Sequence, residues 1–178
     1  LNVENKLTYI KGLSQQNIIH LHLMVMNPHY GQKDSYICRY AKIGANNIGF
    51  HRKAFTNNKE IDDAINLIKS LNKNVGIFVE INELIDEDLL NKIIKYKINW
   101  IVLMGVPVGF GGQFFNEQIL FKAKILRQFS IKNKLDLTIE VDGGLTKDNI
   151  LLGEKFGVNY LAGWSIVKSQ TLKKYQKN

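Results

Sequence analysis

Apolar and polar positions alternate along the chain in two rhythms. Short β-rich runs at 18–25, 47–51, 75–79, 100–104, 135–141 and 160–162 predict strands. The windows between them repeat apolar residues every three or four positions and predict amphipathic helices at 35–43, 61–71, 86–96, 118–129 and 146–156. In the second of these, Ile61, Ala64, Ile65, Ile68 and Leu71 share one face behind the capping candidates Asn57 and Asn58. A further helix at 6–13 has no strand before it.

Strand followed by helix, repeated, means a parallel sheet covered by helices. His22 and Gly163, at the ends of the first and last runs, stand 141 residues and five steps apart. That is about 28 residues per unit, a normal β/α repeat. Eight such units need about 226 residues, roughly 48 more than the chain has, which is close to two units. The helix at 6–13 then reads as the end of the second unit. No Gly-rich turn follows the first run, as a dinucleotide-binding sheet requires. The expected fold is therefore α/β, a (β/α)8 TIM barrel making a single domain over 1–178. Its first and second strands are expected to be missing from the chain, which opens on Leu1 rather than methionine.

A hydrophobic content of 45% suits one sizeable core. No apolar segment approaches the roughly 18 residues that would cross a membrane, and the opening "LNVENK" has no leader pattern. Cys38, the single cysteine, cannot form an internal disulfide and reads as a small buried residue, so a cytoplasmic protein is expected. The net charge of +8 raises nucleic acid as a partner. The lysines, however, are scattered over polar helix faces with no dense basic block and no interleaved aromatics, so no nucleic-acid partner is expected. The positive field instead favours drawing in a phosphorylated small molecule.

In such a barrel the working groups lie at the carboxyl ends of the strands. There the chain places His22 with Met24, then His51, Met104, Asp142 with Gly143 and Gly144, and Gly163. An imidazole and a carboxylate in one mouth are donors for a divalent metal, though two ligands are too few by themselves. His20 shares the face of His22 by strand alternation and is expected to take a hydrogen-bonded core role, with an extra metal ligand as the alternative. His51 is given no catalytic role, and Phe78, Trp100 and Phe129 read as core. The stretch "VGFGGQ", 108–113, sets Gly109, Gly111 and Gly112 after a strand, where bare backbone N–H groups admit a phosphate. Gly143 with Gly144, and then Gly163, follow the next two strands in the same way.

The segments "HLMV" with "NP" shortly after, "IGFH", "LMGVPVGFGGQ", "EVDGG" and "LAGWSI", in this order and at these separations, resemble the ribulose-phosphate 3-epimerase family over 7–167. The resemblance implies a metal-dependent (β/α)8 barrel that interconverts ribulose 5-phosphate and xylulose 5-phosphate. The proton at C3, next to the ketone, is removed and one is returned on the opposite face through an enediolate, with a metal and two acid/base groups assisting. By the same resemblance His22 is a metal ligand, and Asp142 is both a ligand and one of the two acid/base carboxylates. Met24 and Met104 line the site. The phosphate rests on Gly109, Phe110, Gly111 and Gly112, on Gly143 and Gly144, and on the backbone of Gly163 and Trp164.

The implied cofactor is a divalent ion, zinc, iron or manganese, the partner is a sugar phosphate, and relatives commonly self-associate as homo-oligomers. In the family a serine of the first strand binds substrate, and a histidine and an aspartate of the second complete the metal site and supply the opposing acid/base group. The chain departs from the family pattern at Pro107-Val108 and Glu80-Ile81, where Asn-Pro is usual, at His20, where an acidic residue is usual, and at Trp164, where a small one is. The alternative reading is a catalytically inactive relative that keeps the phosphate cradle and binds a sugar phosphate or a protein partner.

Overall fold

In the computed structural model, residues 18–163 are described, so the expected helix at 6–13 and the position of Trp164 lie outside the described residues. The elements run β1 (His20–Leu23), α1 (Tyr36–Ile43), β2 (Asn47–His51), α2 (Asn58–Ser70), β3 (Asn74–Val79), α3 (Glu87–Lys95), β4 (Trp100–Met104), α4 (Ile119–Lys132), β5 (Thr138–Asp142), α5 (Lys147–Lys155) and β6 (Tyr160–Ala162). The strands neighbour one another in the order β1-β2-β3-β4-β5-β6, and the β1–β2, β4–β5 and β5–β6 pairings are parallel. This is the strand–helix alternation of an α/β fold. Two compact units divide the chain, Leu1–Ile77 and Phe78–Asn178, with the boundary inside β3.

In the first unit β2 is buried along its whole length, as a strand covered on both faces must be. α1 starts behind Ser35, whose Oγ accepts the Cys38 N–H at 3.2 Å, and stops at Gly44, which takes the left-handed conformation at φ +112. Cys38 is buried, as its residue type suggested. Ile61, Ala64, Ile65 and Ile68 form the buried face of α2. That helix begins before residue 61 because Asn57 caps it, its Oδ1 accepting the Glu60 N–H at 3.0 Å. Asparagines tie the amino ends of the strands. The Ile19 N–H donates to Asn46 Oδ1 at 2.8 Å, and the Asn74 side-chain amide donates to Asn47 Oδ1 at 2.8 Å. β1 is shorter than the 18–25 run, since Asn27, at φ +48, turns the chain soon after Leu23.

In the second unit β4 is buried throughout, and Phe78, Trp100, Val102 and Met104 pack as one cluster. Phe129, within α4, is half-buried rather than core. β5 starts at Thr138 instead of 135, and the reason is local. The Leu135 N–H donates to the Ser130 carbonyl at 2.9 Å, and the Ser130 hydroxyl donates to the Leu135 carbonyl at 2.8 Å, so Leu135 belongs to the turn that ends α4. The Lys122 ammonium donates to the carbonyls of Glu80 at 2.8 Å, Ile81 at 2.6 Å and Glu83, tying α4 to the loop after β3. Thr146 and Phe156, read as the ends of the last helix, are its caps, and Asn149 Oδ1 accepts the Thr146 N–H at 2.7 Å. Among the described residues no helix is long and apolar enough to cross a membrane.

Candidate active site

β1 and β2 pair with His20 opposite Asn47 and His22 opposite Gly49, so residues 20, 22, 47, 49 and 51 share one face of the pair. Gly49 carries no side chain there, and the rings of His22 and His51 meet beside it. Their Nε2 atoms lie 2.6 Å apart, with ring centroids at 4.8 Å and planes tilted by 37°. His51 is 6% exposed and His22 half-buried. Burial first, and the neighbouring His51 second, push the His22 pKa down from 6.5 to about 4. The His22 imidazole is therefore neutral at pH 7 and keeps a nitrogen lone pair.

His20 is hydrogen-bonded as expected, with its ring 3.3 Å from Asn47 Nδ2, but it is not in the core. It opens β1 and is exposed, because the strand's burial is confined to its carboxyl end. Met24 lies beyond the end of β1 and is 63% exposed.

In the second unit the register pairs Trp100 with Thr138, Val102 with Glu140 and Met104 with Asp142. β5 buries Ile139 and Val141 while Thr138, Glu140 and Asp142 stay half-buried on its other face. Asp142 is therefore the last residue of a polar row facing the row Trp100, Val102, Met104. Burial, and then the charge of Glu140, raise the Asp142 pKa above the usual carboxylate value. Glu140 is held in place by the indole of Trp100, whose Nε1–H donates to Oε2 at 2.8 Å. Met104 is buried in the apolar cluster next to Asp142.

Beyond Asp142 the chain has room only for glycine. Gly143 and Gly144 have φ +96 and +69, and a Cβ on Gly144 would come within 2.7 Å of Val106 Cγ1 and 2.9 Å of the Phe115 backbone. The surrounding segments are joined by backbone bonds, Gly105 N–H to the Asp142 carbonyl at 2.7 Å and Gly143 N–H to the Ala162 carbonyl at 2.9 Å. The 108–113 loop is different in kind. No atom lies within 4 Å of a Cβ built on Gly109, Gly111 or Gly112, so its backbone is open to an approaching anion. Gln113 braces it, its side-chain amide donating to the carbonyls of Pro107 at 2.7 Å and Phe110 at 2.8 Å. Phe110 is 83% and Phe114 99% exposed. Gly163 follows β6 and is half-buried.

From the sequence alone His51 had no catalytic role and Glu140 did not stand out. Strand parity was the available signal: each sits two residues from a position on the same face, Gly49 and Asp142 respectively.

The donor set tests the implied metal. An imidazole nitrogen and a carboxylate oxygen are donor types that suit zinc, iron or manganese; His22 offers the first in one unit and Asp142 the second in the other. They are short in number: among the described residues no group of three or more His, Cys, Asp or Glu side chains gathers, and catalytic zinc centres use three protein ligands.

Parallel strands in chain order with helices between them make this an α/β protein, with histidine, aspartate and glycine at the carboxyl ends of its strands. Solved structures share this fold. A mutant tryptophan synthase alpha-subunit from Pyrococcus furiosus superposes with a TM-score of 0.68 at 13% identity, over 94% of this chain and 65% of that one. KGPDC from Streptococcus mutans superposes with a TM-score of 0.64 at 17% identity, over 91% of this chain and 69% of that one.

The profile of the ribulose-phosphate 3 epimerase family matches residues 2–167, and the chain belongs to that family. It is 36% identical to the ribulose-phosphate 3-epimerase of Buchnera aphidicola subsp. Baizongia pistaciae over 85% of its length. To the ribulose-phosphate 3-epimerase of Bacillus subtilis it is 34% identical over 86% of its length. It spans 62% and 66% of the length of these two relatives.

Proposed function

We propose that the protein epimerises a ketose phosphate at C3, interconverting ribulose 5-phosphate and xylulose 5-phosphate, as a cytoplasmic, single-domain (β/α)8 barrel. The observation that carries this reading is Asp142. It is a carboxyl at the end of β5, shifted towards its acid form by burial and by Glu140, in a chain of the epimerase family. A group that exchanges protons with carbon near neutral pH works best with its pKa moved towards 7, and burial moves Asp142 in that direction.

In this mechanism the phosphate is bound by the backbone N–H groups of 109–112, Gly143, Gly144, Gly163 and Trp164, with Gln113 keeping the first of these loops in shape. Asp142 takes the C3 proton as a carboxylate in one direction and returns it as an acid in the other. Glu140, anchored by Trp100, keeps negative charge next to Asp142 and favours its protonated form. His22 and Asp142 would hold the zinc, iron or manganese ion, which when bound stabilises negative charge developing on substrate oxygens. Met24 and Met104 border the site, and a homo-oligomer is the proposed assembly.

The test is isotopic. Full-length protein supplied with a divalent metal in D2O is expected to place deuterium at C3 of ribulose 5-phosphate, and Asp142→Asn to slow that exchange by about 10²–10⁴-fold. Failure of the unmodified protein to exchange any ketose phosphate contradicts the proposal. A second reading, an inactive relative that binds sugar phosphate, is favoured by the lack of a three-ligand cluster among the described residues. It predicts saturable binding of ribulose 5-phosphate with no exchange.

A further inference from the structure

The glycine segments that follow β4 and β5 meet at one side chain. The 107–114 loop has an open crown, with no atom within 4 Å of a Cβ built on Gly109, Gly111 or Gly112. Gln113 ties that crown to itself through the carbonyls of Pro107 and Phe110. The crown is therefore shaped from within but takes its position from its two ends. Those ends are Val106, which is buried, and Phe115, which is half-buried.

Both ends are seated on bare backbone. A Cβ on Gly143 would come within 2.6 Å of Val106 Cγ2, and one on Gly144 within 2.9 Å of the Phe115 N and Cα. Gly105 lies outside the positive-φ region, so space alone keeps it bare. A Cβ there would come within 2.7 Å of Phe115 Cε2 and 2.6 Å of the Gly143 carbonyl oxygen. The Phe115 ring and the Gly143 carbonyl thus close on the same point at the exit of β4. The Asn116 N–H donates to the Gly105 carbonyl at 2.9 Å, and the Gly105 N–H to the Asp142 carbonyl at 2.7 Å, which fastens the return of the loop to the end of β5.

We infer that Phe115 is a positioning residue for the phosphate: its ring, seated on Gly105, sets the 109–112 amides against those of Gly143 and Gly144, so that the two loops act as one anion cradle. The inference rests on the phosphate reading given above and names the side chain that holds its two halves together. Half-sites kept at a fixed separation bind one ligand more tightly than half-sites that drift, because less order has to be imposed on binding. A phenyl ring has no polar atom to compete with the amides for the anion.

Titration with inorganic phosphate, followed in 1H–15N spectra of the protein, reads both loops at once. In the wild type the amides of Gly111, Gly112, Gly143 and Gly144 are expected to shift with a single dissociation constant. Phe115→Ala should raise that constant by about 10–100-fold, part of the 10²–10⁴-fold that joined half-sites gain over separate ones. The amides of β4 and β5 should keep their wild-type positions. Phe115→Leu, which leaves an apolar side chain over Gly105, should fall between the two. Phe114→Ala, one residue away at a ring that is 99% exposed, should titrate as the wild type does.

Wild-type affinity in Phe115→Ala overturns the inference and leaves the phosphate reading standing. So does a wild type in which the two loops titrate with different constants or only one of them responds, and so does a loss of affinity accompanied by shifts throughout β4 and β5. Phosphate that moves neither loop of the wild type overturns both. If Phe115→Ala does not fold, the wild-type titration and Phe115→Leu decide, wild-type affinity in the latter counting against the inference.

Discussion

Trp100→Phe would keep most of the ring packed edge-on against Phe78, at a centroid distance of 5.6 Å, while deleting the N–H that holds Glu140. A half-buried carboxylate that loses a donor of this kind costs about 1–3 kcal/mol, so the urea midpoint should fall. An unchanged midpoint would show that the indole contributes packing alone. Glu60 offers a pH-dependent contact at the same scale. Its carboxylate accepts the Tyr30 hydroxyl at 2.8 Å and, from Thr56, the N–H at 2.9 Å and the hydroxyl at 2.8 Å. The Thr56 N–H above all, then Tyr30, hold the Glu60 pKa below 4.5. Because the folded pKa is the depressed one, the contribution is complete above the unfolded value of about 4.5 and is lost as pH falls through the folded value. The difference in Tm between the wild type and Glu60→Gln should therefore be present at pH 7 and close as pH falls below 4.5 and through the folded value. A difference independent of pH would contradict this.

Elements were legible where one physical signal dominated. β2 and β4, buried along their whole length, and the short β6 occupy the ranges that their β-rich runs mark. β1 and β5 are shorter than their runs because turn chemistry took the ends: Asn27 at positive φ in one case, the Ser130–Leu135 pair in the other. α2 starts earlier than its apolar face does because capping by Asn57, not burial, sets its first turn. Glycines with the same look in the sequence also separate in the structure. Gly144→Ala meets both a positive φ and contacts under 3 Å and should cost about 1–3 kcal/mol. Gly111→Ala, in open space, should stay within about 0.5 kcal/mol. Equal urea midpoints for the two variants would refute that distinction. Lys122→Met removes the ammonium from the carbonyls of Glu80, Ile81 and Glu83. It should raise hydrogen exchange in the loop after β3 while the amides of β4 stay protected.

At the scale of the molecule, repeat length and the order of the glycine and histidine segments sufficed to indicate the barrel class and the family, both supported by the fold and by the family profile. The site was legible as residue types at strand ends. How those residues pair was not, because pairing depends on side-chain direction across neighbouring strands: His51 on His22, Trp100 on Glu140. The chain spans 62% and 66% of the length of the two epimerase relatives, and turnover is the property to measure. The most direct measurement is net conversion, followed by NMR in D2O with a divalent metal present. Ribulose 5-phosphate and xylulose 5-phosphate, each supplied alone, should reach the same mixture with one deuterium at C3, and Asp142→Asn should slow the approach to that mixture by about 10²–10⁴-fold. Two starting sugars that stay as supplied, with no deuterium taken up, would contradict the account.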